Sequence, residues 1–109
     1  MITVIIPTYN RSNLLNQAIQ NVLQQTYQPS SIIIIDDCST DNTEIVVKNY
    51  KNKNLYYIKN QQRLGTTRSR VRGLKLAKTN WIAFLDDDDT WHINKLKLQY
   101  EKIKFNNLD

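Results

Sequence analysis

The sequence contains only 2 glycines, 2 prolines and 1 cysteine in 109 residues. With so few chain breakers there is no low-complexity linker, and no segment repeats at a fixed period. The lone cysteine, Cys38, excludes an intramolecular disulfide and suits a reducing compartment. Long apolar runs are missing too. The opening run, Ile2 to Pro7, is shorter than a signal-peptide core and far shorter than a bilayer span. A cytoplasmic location is therefore expected, peripheral at the inner face of a membrane if a further C-terminal region anchors the protein. The most informative absence is local. The turn after that run reads Pro7-Thr8-Tyr9-Asn10-Arg11 and holds no glycine, which excludes a P-loop and the glycine-rich turn of dinucleotide-binding folds. A nucleotide bound here needs another way to neutralise its phosphates.

What is present is globular. Hydrophobic residues make up 40% and charged residues 23%, a balance that supports one small folded domain over residues 1–109. The formal charge is +5, from 15 Lys and Arg against 10 Asp and Glu. That excess is compatible with nucleic acid, acidic headgroups or phosphorylated small molecules. Its distribution is uneven: acids cluster at 36–37 and 86–89, bases in 63–78 and 95–104. No nucleic-acid recognition motif is present, and the acidic clusters would repel a phosphate backbone, so a nucleic-acid partner is not expected.

Apolar runs at Ile2–Pro7, Ile32–Ile35, Leu55–Ile58 and Trp81–Leu85 predict four strands. Between and after them, helices are predicted over about 13–24, 42–50, 66–77 and 92–105. Ser12 is the expected N-cap of the first, and Asp41 with Glu44 resembles a capping box for the second. Leu14, Leu15, Ala18, Ile19, Val22 and Leu23 mark the buried face of the first helix; Ile93, Leu96, Tyr100 and Ile103 mark that of the last. In the third, Arg68, Arg72 and Lys75 are expected on the outer side, with Arg70 pointing inward. Gly73, inside the helix, predicts close packing on the sheet, and Gly65 predicts the helix start. Strands apolar on both faces, alternating with helices, predict an α/β fold with a parallel sheet.

In such folds ligands sit beyond the carboxyl ends of the strands. The unusual residues fall there: Thr8 to Arg11, Asp36 and Asp37, and the four aspartates Asp86 to Asp89. Carboxylates one residue apart share a divalent cation readily, and the cation can bridge to a diphosphate. An exposed acidic turn favoured by the dipole of the last helix is the competing account. Neither Asp36 nor Asp37 is needed for capping, so a carboxylate here can accept a nucleobase imide N–H, and Tyr9 can border the same base or simply pack. Cys38 and His92 are expected to be structural.

Five segments carry a family resemblance. They are Val4-Ile5-Ile6-Pro7-Thr8-Tyr9-Asn10-Arg11, Gln25-Thr26-Tyr27, Ile35-Asp36-Asp37-Cys38-Ser39-Thr40-Asp41-Asn42-Thr43, Gly65 through Gly73, and Phe84-Leu85-Asp86-Asp87-Asp88-Asp89-Thr90-Trp91. In this order they resemble glycosyltransferase family 2, the inverting enzymes of the GT-A fold, over nearly the whole chain. The resemblance implies a Rossmann-like GT-A half-domain, a mainly parallel sheet of order 3-2-1-4, and helices on both faces.

It also implies roles. Pro7 and Tyr9 would border the nucleobase of a nucleotide-sugar donor, a UDP-sugar, and Asp37 would bond its imide. Arg70 would lie near base or diphosphate. Asp86 and Asp88 match the outer pair of a D-x-D motif, with Asp86 near the ribose and Asp88 holding Mn2+ or Mg2+; Asp87 stays a candidate because four aspartates run together. Family domains continue beyond the equivalent of Asp109, where the acceptor site and the acidic general base are expected. The acceptor would be a glycan or lipid-linked hydroxyl. An open fourth-strand edge makes self-association as a non-catalytic module the alternative. Ser69-Arg70-Val71 stands where the family often has Ala-Arg-Asn.

Overall fold

The computed structural model describes residues 1–105. Strands β1 (Ile2–Thr8), β2 (Ser31–Asp36), β3 (Leu55–Lys59) and β4 (Trp81–Phe84) form a parallel sheet in the order β3-β2-β1-β4. Helices α1 (Ser12–Leu23), α2 (Thr43–Lys48), α3 (Thr66–Leu76) and α4 (Lys95–Phe105) follow the strands in turn. The expected strand order and parallel pairing are both observed.

Alternation along the strands divides the core into two layers. Ile2, Val4 and Ile6, with Ile32 and Ile34, pack against Leu15, Ala18, Ile19 and Val22 of α1, Val47 of α2 and Leu96 of α4. Ile5, Ile33 and Ile35 form a smaller cluster on the opposite face, where α3 lies across β1 and β2. Gly73 sets that approach: a Cβ added there would stand 2.7 Å from Ile5 Cγ2. No described helix is long and apolar enough to cross a membrane.

Several local expectations need correction. Ser12 does not cap α1; it is the first helical residue, and Arg11 holds the cap position without a side-chain bond. Asp41 and Glu44 do not form a capping box. Asp41 instead accepts the Thr43 N–H at 3.0 Å and the Ser12 N–H at 3.3 Å, serving two helix starts at once, while Glu44 pairs with Lys48 at 2.8 Å. Leu14 is 40% exposed and Ile93 49%, so neither belongs to a buried face. The last helix starts at Lys95 rather than His92, whose Nδ1 accepts the Asn94 N–H at 3.1 Å. Arg72 turns back into the fold and donates to Asn60 Oδ1 at 2.6 Å instead of facing outward. Cys38 is only partly buried, in a left-handed backbone conformation at φ 74°.

Candidate functional site

Two loops are locked together at the carboxyl ends of β1 and β2. Asn10 adopts φ 50°, a conformation asparagine tolerates. Its Oδ1 accepts the N–H groups of Thr40 at 2.7 Å and Asp41 at 3.2 Å, and its own N–H donates to Ser39 Oγ at 2.8 Å. This brace fixes the backbone beside Tyr9. The adjacent aspartates then diverge. Asp36 is fully buried; it accepts the Ser39 N–H at 2.9 Å and the Tyr57 hydroxyl. Burial, reinforced by that carboxylate, pushes the Tyr57 hydroxyl above its usual range. Asp36 is thus structural.

Asp37 faces the other way and organises the loop after β3. Oδ1 accepts from Leu64 N at 2.7 Å and Asn60 Nδ2 at 3.0 Å; Oδ2 accepts from Gly65 N at 3.0 Å and Arg63 Nε at 3.1 Å. Burial acts to raise this carboxyl, but the donors, led by Leu64 N–H, outweigh it and hold it at about 2.

The third component is the acidic run. Leu85 N–H bonds Ile5 O at 3.0 Å, so the ladder carries the chain to the first aspartate. From there the side chains alternate. Asp87 turns inward, with 8% of its side chain exposed, and accepts from Thr8 Oγ1 at 2.8 Å and Arg11 Nη1 at 3.2 Å. Burial raises its carboxyl, with Asp88 adding to the effect and Thr8 and Arg11 opposing it. Asp86 and Asp88 turn outward, 51% and 57% exposed. Asp86 pairs with Arg70 Nη2, and Asp88 lies 3.3 Å from Arg11 Nη1. The chain beyond is anchored to α1: Asn21 brackets Trp91, and Gln25 Nε2 and Oε1 bond His92 O and Leu96 N at 2.8 and 3.1 Å.

These parts enclose a cavity of about 350 Å3. The residues given roles by the family resemblance line it: Pro7, Tyr9, Asp37, Arg70, Asp86, Asp87 and Asp88; Asn10, Asp36 and Asp89, also at the strand ends, do not. Arg11, Arg63, Thr8, Thr66 and Ser69 line it as well and had no assigned role. For Arg11 a signal existed, since it follows directly on the β1 end, where ligands sit in such sheets. Arg63 is one of several bases in the stretch 63–78, and nothing local distinguishes it from its neighbours.

Four carboxylates and three guanidiniums face this space, so its formal charge is about −1. Among the described residues, no three His, Cys, Asp or Glu side chains cluster closely enough to hold a cation by themselves. Asp86 and Asp88, exposed carboxylates one residue apart, are hard oxygen donors of the type Mg2+ or Mn2+ takes together with substrate phosphates. Arg70 Nε is buried without a hydrogen-bond partner at the same wall.

A model of the family described as Glycosyl transferase family 2 matches residues 3–109. The Escherichia coli protein named UDP-Glc:alpha-D-GlcNAc-diphosphoundecaprenol beta-1,3-glucosyltransferase WfgD is 34% identical over 108 residues, 99% of this chain and 43% of that protein. The chain therefore spans less than half the length of this curated relative. S. aureus TarS 1-349 in complex with UDP-GlcNAc superposes with a TM-score of 0.90 at 30% identity, over 97% of this chain and 32% of that one. The mannosyltransferase PcManGT from Pyrobaculum calidifontis, in complex with GDP-Man and Mn2+, gives 0.75 at 27% identity, over 83% and 28%. With its sheet order, its strand-end carboxylates and this match over nearly its full length, the chain belongs to glycosyl transferase family 2.

Proposed function

We propose that residues 1–109 are the donor-binding part of a glycosyltransferase that moves a sugar from a nucleoside diphosphate sugar, a UDP-sugar, to an acceptor hydroxyl with inversion. The observation carrying this reading is the charge of the cavity. A pocket of formal charge near −1 that also holds three guanidiniums suits an anion accompanied by a divalent cation. Carboxylate and phosphate alone would repel by about 4 kcal/mol at ~4 Å and an effective dielectric of ~20.

Tyr9 and Pro7 border the base in this reading, and Asp37 accepts its imide N–H. Asp86 lies near the ribose, and Arg70 faces base or diphosphate. Asp88, with Asp86 beside it, would hold Mn2+ or Mg2+. When bound, the ion supplies Lewis-acid stabilisation of the departing nucleoside diphosphate. Asp87 is the internal strut that keeps Thr8 and Arg11 against the acidic loop. The UDP-sugar assignment is supported by the donor in WfgD's name and by the UDP-GlcNAc complex of TarS. A lipid-linked acceptor is supported by the diphosphoundecaprenol-linked acceptor in WfgD's name; our reading adds that it is met at the inner face of a membrane, in surface-glycan synthesis.

Calorimetry with UDP, with and without Mn2+, tests the reading. Binding that needs the metal is expected. A folded sample that binds UDP equally in chelator, or not at all, would refute it.

A further inference from the structure

The two groups expected to receive the base are already engaged by one side chain. Asp37 accepts four hydrogen bonds, two on each oxygen, which uses its full acceptor capacity. Three donors are fixed by the fold: the N–H groups of Leu64 and Gly65, and Asn60, which is buried and also bonds Ser69 Oγ at 3.0 Å. The fourth is Arg63 Nε, on a side chain 55% exposed. The same guanidinium lies over Tyr9, its Cζ 3.4 Å from the ring centroid. That is van der Waals contact, so no base can enter between them.

A guanidinium is planar and donates N–H groups in its plane. The ring imide of uracil has the same two properties. Arg63 therefore makes, from within the chain, both contacts assigned to the base: stacking on Tyr9 and donation to Asp37 Oδ2. We propose that Arg63 is an internal stand-in for the nucleobase, seated on Tyr9 in the free protein and displaced by the incoming base. The proposal rests on reading the cavity as a nucleotide site. In the exchange the imide N–H replaces Nε at Oδ2, so Asp37 never loses a partner. Leu64 and Gly65 stay bonded, so only the Arg63 side chain has to move.

A pure competitor has a distinctive thermodynamic signature. It lowers apparent affinity by the fraction of molecules in which the slot is open, equally for every ligand that needs the slot. A cation–π contact plus a half-exposed ion pair makes that factor roughly five- to tenfold.

NMR titration with uridine and with cytidine, both free of phosphate, tests this on the wild-type chain and Arg63→Ala. Arg63→Ala should bind uridine about five- to tenfold more tightly, with the uridine-to-cytidine ratio unchanged. In the wild type, the Arg63 Nε–H resonance should shift toward its free, solvent-exchanging position as uridine saturates the site. Weaker or unchanged binding by Arg63→Ala overturns the stand-in, as does an Nε–H signal that stays bonded in the complex. If the wild type still binds UDP with Mn2+, the nucleotide reading survives that result. Failure of both variants to bind uridine, together with no metal-dependent UDP binding, overturns both.

Discussion

Thr8 donates its hydroxyl to the buried Asp87 carboxylate at 2.8 Å, joining the end of β1 to the acidic loop across 79 positions of sequence. The contact holds the turn bearing Tyr9 and Arg11 against the loop bearing Asp86 and Asp88. It also supplies a donor to a carboxylate that burial would otherwise drive toward its neutral form. Thr8→Val keeps the shape and removes the donor. It should cost about 1–3 kcal/mol in urea unfolding, the range for orphaning a buried polar group. An unchanged midpoint would show that Asp87 does not depend on Thr8.

Asp37 predicts a specific acid limb. Its carboxyl is held at about 2, below the ordinary 3.8. A lowered folded-state value means stability fully present above the unfolded value and lost as pH falls toward the folded one. The loss should therefore occur between about pH 4 and pH 2 and amount to roughly 2 kcal/mol. Asp37→Asn, measured by urea midpoint against pH, should be less stable at neutral pH and show a flatter limb in that window. A variant with the wild-type acid limb would contradict the assignment.

Gly73 predicts overpacking. Alanine there gains about 1 kcal/mol of helix propensity, but its Cβ would meet Ile5 Cγ2 at 2.7 Å. Forcing apart a packed helix and strand costs about 1–3 kcal/mol, so Gly73→Ala should be neutral to destabilised by up to about 2 kcal/mol. A thermal melt shows the sign; clear stabilisation would mean that α3 is not held against β1 as described.

Much of the fold was legible because its signals are local. The four isoleucines from Ile32 to Ile35 read as a strand buried on both faces, and they are. The strand order came from the family resemblance rather than from any periodicity. The partition of the aspartates was less visible. Asp36 and Asp37 are adjacent and identical, yet one enters the core beside Tyr57 and the other faces the cavity. The two-residue alternation of β2 fixes that difference, since Asp36 shares the face of Ile32 and Ile34. Charged side chains on long stems were the least legible. Arg63 and Arg72 lie in the basic stretch 63–78, where only the tertiary acceptors, Asp37 and Asn60, distinguish them from their neighbours.

In the proposed donor complex, cation, diphosphate and the outward aspartates meet in one place. Paramagnetic broadening of amide resonances by substoichiometric Mn2+, in the presence of UDP, measures this directly. Broadening should centre on Asp86 to Asp88 and on Thr8 to Arg11, fall off toward Ser30 and Thr79 at the opposite end of the sheet, and be abolished in Asp88→Asn. Broadening centred elsewhere, or undiminished in Asp88→Asn, would contradict the account.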